Sequence, residues 1–367
     1  MSSDAPGGNI LAYIGTYTRT EPHVQGKAEG IYVYRVDPAS GAMEYQSTAR
    51  GVTNPSFVVV DARRRFLYAV EEVDQFDGQP GGAACAFAID PDTGDLGLLN
   101  RQPTHGTHPC YAGIDHTGRW LLVANYGGGS VCMLPIGEDG TLGAATDVVQ
   151  HHGPSPHHDG PHPHSIMPTP DNRYVLVPDC GLDRVYVYHL DHEHGTLTPN
   201  DPLSAPTGPA SGPRHLAFHP NGTRVYSINE HGSSITAFAY DPAGGTLSEF
   251  QTISTLPEGF SGRNTCADIH FDPSGRWLYG SNRGHDSIAI FAVDQPSGKL
   301  QPLGHMPTGG RTPRNFAIDP RGRFLLAANQ DTGTVVTFGV DRATGALAAT
   351  GHVAEIPAPV CIALVGS

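Results

Sequence analysis

The chain repeats one pattern of apolar and polar positions six times. Each copy is a short apolar stretch, a polar turn of the D-P-x-G-R kind, and a second apolar stretch that ends in polar residues. The copies are PSFVVVDARRRFLYAVEE, PCYAGIDHTGRWLLVANY, PHSIMPTPDNRYVLVPDC, PRHLAFHPNGTRVYSINE, CADIHFDPSGRWLYGSNR and PRNFAIDPRGRFLLAANQ. They recur at intervals of roughly 50 residues, which is typical of the blades of a β-propeller.

Most copies continue with a third apolar stretch and a hairpin turn. Segments such as RVYVYHLDHEHGTL and SITAFAYDPAGGTL alternate with a period of two residues and end in turn-forming residues, which predicts strands joined by hairpins. The alternative of a two-domain α/β protein would need a helical period of 3.6 residues, and none is visible.

The two ends of the chain complete the count of blades. The segment ILAYIGTYT matches a second strand that lacks a first, and PAPVCIALV matches a first strand that lacks a second. Together they predict an all-β fold, a seven-bladed β-propeller whose ring is closed by N- and C-terminal strands in one blade. We expect residues 1–8 to form a flexible tail and residues 9–367 to form a single domain.

Composition narrows the classes of partner. The formal net charge of −14 argues against binding to nucleic acid or to an anionic membrane. No apolar run approaches the roughly 20 residues that a membrane-spanning helix needs. The 46 glycines and 32 prolines fit a chain of many turns. The sequence gives no indication of oligomeric state.

Cysteine usage favours a reducing compartment. The six cysteines contain no C-x-x-C pair, so buried thiols are a better interpretation than a disulfide or zinc framework. The N-terminal residues also lack a basic segment followed by an apolar one. We therefore expect a cytoplasmic protein.

The repeats provide an internal alignment with three informative columns. One column at the end of the second strand is mostly Asn or Asp, which predicts a structural role in each turn: Thr16, Glu71, Asn125, Asp179, Asn229, Asn282 and Asn329. The next position varies in size and charge: Tyr17, Glu72, Tyr126, Cys180, Glu230, Arg283 and Gln330. The position at the start of the first strand also varies: Ser56, Cys110, His164, Arg214, Ala267, Arg314 and Val360.

The two variable columns predict a site at one mouth of the central channel. The first and second strands are antiparallel neighbours, so the start of one lies beside the end of the other. With the closing blade counted as the first, blades four to seven supply ionisable side chains at this mouth: His164, Arg214, Glu230, Arg283 and Arg314. Such a cluster in a concavity is typical of a binding or catalytic site. Glu72, Tyr126, Asp179 and Gln330 are further candidates for its lining.

Several of these motifs resemble a known enzyme family. GTYT, GPHPHS, GPRHLAFHP, SINEHGSS, ADIHFDPSGRWLYGSNR and PRNFAIDPRGRFL are similar to the propeller-type 6-phosphogluconolactonases, which are related to carboxy-cis,cis-muconate cyclase. The resemblance spans residues 10 to 365. It implies a cytosolic seven-bladed enzyme without a metal or other cofactor, acting on a small anionic lactone. It also implies functional roles for His164, Arg214, Glu230 and Arg283.

These residue types suit hydrolysis of a sugar lactone. His164 or Glu230 would activate a water molecule, and an arginine would stabilise the oxyanion. Another arginine, with Arg314, would hold the anionic substituent, and Tyr126, Asp179 and Gln330 would contribute to substrate binding. Two alternatives remain open: a lactone-forming cyclase, and a non-catalytic propeller that binds a partner at its mouth. An ion pair that serves only the structure is also open for the two arginines and Glu230.

A histidine-rich loop precedes the fourth blade. The run HHGPSPHH, residues 151–158, could in principle bind a metal, but its irregular spacing favours a solvated loop. Of the two histidines in GPHPHS, His164 occupies the column at the start of the first strand. His162 lies in the incoming loop, where nothing in the repeat anchors it. We therefore expect His164 to be the functional histidine.

Overall fold

A computed structural model describes residues 10–155 and 157–366, which contain strands, turns and loops but no helix. The predicted tail, residues 1–8, lies outside these residues, so the division of the chain into a tail and a single domain stays a prediction. The strands are, in chain order, β1 (Ile10–Thr16), β2 (Gly30–Val36), β3 (Met43–Arg50), β4 (Val58–Val60), β5 (Phe66–Glu71), β6 (Gln75–Phe76), β7 (Gln79–Pro80), β8 (Ala83–Ile89), β9 (Leu96–Pro103), β10 (Pro109–Ile114), β11 (Trp120–Asn125), β12 (Ser130–Pro135), β13 (Asp147–Gln150), β14 (Met167–Pro168), β15 (Tyr174–Asp179), β16 (Arg184–Asp191), β17 (Thr196–Pro206), β18 (Pro213–Phe218), β19 (Arg224–Asn229), β20 (Ser234–Asp241), β21 (Thr246–Ser254), β22 (Thr265–Phe271), β23 (Trp277–Arg283), β24 (Ser287–Val293), β25 (Leu300–Pro307), β26 (Pro313–Ile318), β27 (Phe324–Asn329), β28 (Thr334–Val340), β29 (Leu347–Glu355) and β30 (Pro359–Gly366).

Seven four-stranded antiparallel sheets form the blades of a propeller. From the innermost strand outward they are β30-β1-β2-β3, β4-β5-β8-β9, β10-β11-β12-β13, β14-β15-β16-β17, β18-β19-β20-β21, β22-β23-β24-β25 and β26-β27-β28-β29. Neighbouring blades contact one another through their inner strands, and the contacts of β30 with β26 and β4 close the ring. The strands β6 and β7 form a small hairpin inserted in the second blade.

The ring is closed as predicted. The C-terminal strand β30 is the innermost strand of the first blade, and it pairs with β1 from Ile10–Gly366 to Thr16–Pro359. Both ends of the chain therefore lie in one sheet, which confirms the prediction of seven blades closed by the terminal strands. Because β30 lies between the first strands of the second and seventh blades, it contributes to packing on both sides.

The apolar core lies between neighbouring blades. Alternation along a strand gives each sheet two faces, and each face packs on the blade next to it. Between the second and third blades, for example, Tyr68 and Ala84 pack with Leu121 and Cys132. The second strands have apolar residues on both faces and are almost wholly buried, whereas the outermost strands alternate between covered and exposed positions. All six cysteines are buried and unpaired, as expected.

Polar side chains stabilise the turns of each blade. In the third blade, Asp115 Oδ1 accepts hydrogen bonds from the amides of Arg119 and Trp120, each at 2.9 Å, and Gly118 adopts a φ of +72°. At the other end of the second strand, Asn125 Nδ2 donates to Thr104 O at 3.1 Å. The equivalent Asn282 and Asn329 donate to Thr255 O and Thr308 O. These contacts give the Asn column the structural role predicted for it.

Ring closure can be tested by truncating one side chain of β30. Ile362 is 7% exposed and packs in the core between the first and seventh blades, so Ile362→Ala should lower the free energy of unfolding by about 2–5 kcal/mol. The control is Val353→Ala in the outermost strand β29, where the side chain is 58% exposed and the expected loss is about 1 kcal/mol or less. Chemical denaturation measures both. Equal losses in the two variants would contradict a special contribution of the closing strand β30 to stability.

Candidate active site at the channel mouth

An extra residue in the first strand aims side chains into the channel mouth. In β18, Pro213 faces Asn229 and His215 faces Ile228, so Arg214 has no partner in the ladder. The same shift occurs at Cys110 in β10 and at Arg314 in β26. A β-bulge of this kind bends the strand and redirects the side chain. The column at the start of the first strand is therefore a column of bulge residues in these blades.

The carboxylate of Glu230 is the centre of the site. Arg283 Nη2 lies 2.8 Å from its Oε1, and Arg214 Nε lies 3.1 Å from its Oε2. His164 Nε2 is 3.9 Å from Oε2. Burial raises the pKa of Glu230, but Arg283 and Arg214 lower it more, so this pKa lies well below its usual value of 4.5. The structure thus brings together all four residues that the motifs implied.

Backbone carbonyls of the sixth blade hold both guanidinium groups. Arg214 Nη1 donates to Ala267 O at 2.5 Å, and Arg283 Nη2 donates to Cys266 O at 2.7 Å. The two arginines differ in access to the mouth, because the side chain of Arg214 is 3% exposed and that of Arg283 is 11% exposed. Arg283 is therefore the better placed of the two to contact a bound molecule.

His164 is a buried, neutral imidazole. Burial, followed by the charge of Arg214, holds the pKa of His164 well below its usual value of 6.5. Its Nδ1 lies 3.6 Å from Cys110 Sγ, and its ring meets the edge of Tyr126 at a centroid distance of 5.2 Å. The strand expected to carry it is shorter than predicted, since β14 begins only at Met167. The backbone of His164 is nevertheless fixed, because its amide donates to Pro178 O at 3.0 Å.

Arg314 belongs to a second polar group at the same mouth. Its Nη2 lies 3.4 Å from Tyr17 OH, which in turn donates to the carboxylate of Glu72 at 2.9 Å. Ser56 Oγ also donates to Glu72. Burial lowers the pKa of Arg314, but Tyr17 and Glu72 raise it more, so this guanidinium stays charged. The first, second and seventh blades supply this group, whereas the fourth, fifth and sixth supply the group around Glu230.

The three further candidates for substrate binding have different surroundings. Tyr126 contacts His164, as the columns predicted. Asp179 is fully buried, and Oδ1 accepts from the amides of His162, Gly181 and Leu182 at 2.8–3.0 Å. Because these donors and His151 occupy its carboxylate, we do not include Asp179 in the proposed substrate-binding set. Gln330 Nε2 donates to Asp331 at 2.9 Å, and its Oε1 is buried without a partner.

His151 of the histidine-rich loop and the nearby His162 have specific contacts that the sequence did not predict. His162 is anchored, contrary to expectation: its Nδ1 lies 2.9 Å from Tyr126 O, and its ring stacks on that of Tyr126. His151 is buried and contacts Asp179 at 2.7 Å, so it is not a solvated loop residue. Within residues 10–155 and 157–366, no three His, Cys, Asp or Glu side chains form a group suited to a metal ion.

Three residues near the mouth were not predicted from the sequence. His215 Nε2 lies 3.2 Å from Arg214 Nη1, and its Nδ1 lies 2.8 Å from Asp268 Oδ1. Simple alternation would place His215 on the opposite face from Arg214, and only the bulge brings both inward.

His23 comes from the loop between β1 and β2 and meets Tyr17 edge-to-face at 5.2 Å. Burial, then Arg314 and Arg283, lower the pKa of His23 to about 4. That loop lies outside the repeat, so no column could include it.

Comparisons with known proteins agree with this geometry. A family model described as "Lactonase, 7-bladed beta-propeller" matches residues 11–364. The chain belongs to this lactonase family. A relative from Bacillus subtilis (strain 168) named 6-phosphogluconolactonase is 36% identical over 308 residues, which cover 83% of this chain and 84% of the relative. A Formosa agariphila relative of the same name is 34% identical over 83% of this chain and 85% of its own length.

Solved structures of similar proteins superpose along almost the whole chain. The periplasmic gluconolactonase PpgL of Pseudomonas aeruginosa matches with a TM-score of 0.90 and 35% identity, covering 97% of this chain and 99% of that one. A protein from Lactobacillus plantarum matches with a TM-score of 0.87 and 31% identity, covering 98% of this chain and 100% of that one. The resemblance seen in the motifs is thereby confirmed.

The two histidines of GPHPHS can be distinguished by substitution. If His164 moves a proton in the reaction, His164→Ala should lower turnover by on the order of 10²–10⁴. His162→Ala, the matched control, should retain most activity because His162 contacts Tyr126 and Asp159 rather than Glu230. Thermal midpoints of both variants show whether either loss reflects unfolding. A large loss of turnover in His162→Ala, or full activity in both variants, would exclude proton transfer by His164.

The pH dependence follows from the lowered pKa of His164. A base must be unprotonated, and His164 gains its proton only as the pH falls through a pKa well below 6.5. We expect kcat/KM to change little as pH falls towards 6.5 and to decline only below it, after subtraction of spontaneous hydrolysis at each pH. A decline centred at the ordinary histidine value would show that His164 is not held in this environment, or is not the base.

Proposed function

We propose that this lactonase-family protein hydrolyses sugar lactones, with 6-phosphogluconolactone as the first candidate substrate and 6-phosphogluconate as its product. The observation that supports it most is the Glu230 carboxylate at the channel mouth, which lies between two guanidiniums and next to a neutral imidazole. The relatives named 6-phosphogluconolactonase support the same substrate.

His164 is the base in this proposal. A lone pair on its Nε2 accepts a proton from water as the water oxygen attacks the carbonyl carbon of the lactone. Glu230 is a poor base, because its charge is already shared with Arg214 and Arg283 and its pKa lies well below 4.5. Its charge instead stabilises the imidazolium that forms 3.9 Å away. The bond between the carbonyl carbon and the ring oxygen then breaks, and the imidazolium returns its proton to that oxygen.

The arginines stabilise negative charge at two positions. Arg283, the more exposed partner of Glu230, meets the oxyanion that develops on the carbonyl oxygen. Arg314 binds the anionic substituent of the substrate, since its charged guanidinium forms the planar donor array that phosphate and carboxylate groups prefer. With His164 neutral, three guanidiniums face the carboxylates of Glu230 and Glu72, so the mouth has an excess of one positive charge.

A location and a pathway follow from this proposal. The six unpaired cysteines support the cytoplasm, where thiols stay reduced. A cytoplasmic 6-phosphogluconolactonase would act in the pentose phosphate pathway. The similar P. aeruginosa structure is named a periplasmic gluconolactonase, so the location needs its own test by fractionation. Among the residues that the structure describes, none belongs to a helix able to cross a membrane.

The activity is tested with purified protein and three lactones. We expect turnover of 6-phosphogluconolactone above its spontaneous hydrolysis, and the rate should persist after exhaustive treatment with EDTA. Unphosphorylated gluconolactone and a muconolactone run in parallel identify the substrate class. No acceleration with any lactone would exclude the proposal, and acceleration of the muconolactone alone would favour the cyclase alternative.

The role of Arg314 has its own prediction. Arg314→Ala should raise KM for the phosphorylated lactone by about 10- to 100-fold, which corresponds to the roughly 1.5–3 kcal/mol of a hydrogen bond to a charged group. The effect on unphosphorylated gluconolactone should be smaller. Arg311→Ala is the matched control, because Arg311 is an exposed arginine three residues earlier. Equal effects of Arg314→Ala on both lactones would contradict a phosphate-binding role.

A further inference from the structure

A hydrogen-bond network around the buried carboxylate of Asp268 lies in the channel behind the site. Asp268 is 2% exposed, and its Oδ1 accepts from the amide of Ile269 and lies 2.8 Å from His215 Nδ1. Its Oδ2 accepts from Asn315 Nδ2 at 2.5 Å and lies 2.9 Å from His270 Nε2. The mechanism described above uses none of these groups. Yet one of them, His215, contacts Arg214 directly.

The network selects one tautomer of His215. A carboxylate only accepts hydrogen bonds, so the proton of a neutral imidazole next to Asp268 lies on Nδ1. That leaves a lone pair on Nε2, which lies 3.2 Å from Arg214 Nη1, a donor. A protonated ring would instead turn an N–H towards the guanidinium. The groups that face His215 are Arg214, Asp268, His164, Tyr111 and Phe57.

The charges around His215 agree with this tautomer. Burial and the charge of Arg214 lower the pKa of His215 to about 4, although Asp268 opposes them. Burial raises the pKa of Asp268, but His270 and His215 lower it more, so this carboxyl stays ionised. Asp268 therefore stays an acceptor, and His215 stays neutral at ordinary pH.

The neutral ring of His215 completes the fixation of Arg214. Nη1 of a guanidinium has two hydrogens, and Ala267 O and His215 Nε2 can accept both. Two fixed acceptors determine the plane of the guanidinium, and in this orientation Nε lies 3.1 Å from Glu230 Oε2. Turning of the guanidinium out of this plane would weaken its contact with Glu230, and Arg283 would then hold more of the charge of that carboxylate.

We propose that Asp268 and His215 are positioning residues that lock the guanidinium of Arg214 against Glu230. The kinetic part of this inference rests on the proposed lactonase activity, whereas the restriction of Arg214 does not. Outer contacts that orient metal ligands typically alter activity about 10- to 100-fold, and we expect a loss of similar size when the acceptor at Nε2 is removed.

The first test measures the motion of Arg214 by nitrogen NMR in protein labelled at arginine. In the parent protein the Nη1 and Nη2 signals of Arg214 should be separate, because rotation about the Nε–Cζ bond is restricted. In His215→Phe they should merge, and in His215→Gln, which keeps an acceptor, they should stay separate. His270→Gln is the control, since His270 contacts Asp268 but not Arg214. Unchanged signals in His215→Phe would overturn the proposal whether or not any lactone is hydrolysed.

The second test is a double-mutant cycle on lactone turnover. His215→Phe should lower kcat 10- to 100-fold in the parent and about twofold or less in Arg214→Ala, because its effect passes through Arg214. Asp268→Asn, which frees His215 to change tautomer, should reproduce the loss, and His215→Gln should restore part of it. Equal losses in both backgrounds would show a merely structural role and overturn the proposal. If the parent protein shows no turnover, the proposed function is contradicted instead. The NMR test then shows on its own whether His215 restricts Arg214.

Discussion

One extra residue in the first strand turns Arg214 and Arg314 towards the channel mouth in their blades. A regular strand sends consecutive side chains to opposite faces, so a channel-lining strand could offer only every second residue to the mouth. The bulge in β18 lets Arg214 and His215 both face inward, and register shifts also occur in β10, β22, β26 and β30. Two of the ionisable residues at the mouth, Arg214 and Arg314, lie at such shifts, so the approach of Arg214 to Glu230 and of Arg314 to Tyr17 depends on this irregularity.

The ion pairs around Glu230 serve the structure and the proposed chemistry together. A buried carboxylate without partners would be strongly destabilising, and two guanidiniums relieve that cost. The same contacts fix Arg283 before a substrate arrives, so little reorganisation is needed when charge develops in the transition state. The alternative of a purely structural ion pair is therefore not opposed to a catalytic one. What distinguishes them is the neutral imidazole of His164 beside the carboxylate.

The sequence predicted the architecture, and it predicted which residues gather at the mouth better than how each side chain is surrounded there. The number of blades and the closure of the ring follow from the strand repeat in the sequence. The variable columns of the aligned repeats include Glu230, Arg283 and His164. A column specifies the register of a residue but not which groups surround its side chain, so the amides that contact the carboxylate of Asp179 could not be predicted from its column. His215 was missed because a bulge has no sequence signature, and His23 was missed because its loop occurs only once.

Closure of the ring and assembly of the mouth are coupled. Tyr17 follows β1, and the first blade is complete only when β30 adds to β1 as its innermost strand. Tyr17 contacts both Arg314 of the seventh blade and Glu72 of the second, so it connects the two sides of the closure. No blade contains the whole site, and the group around Arg314 needs both ends of the chain. A propeller closed in this way forms its proposed substrate-binding group only when the complete ring is folded, which ties function to the integrity of the closing blade.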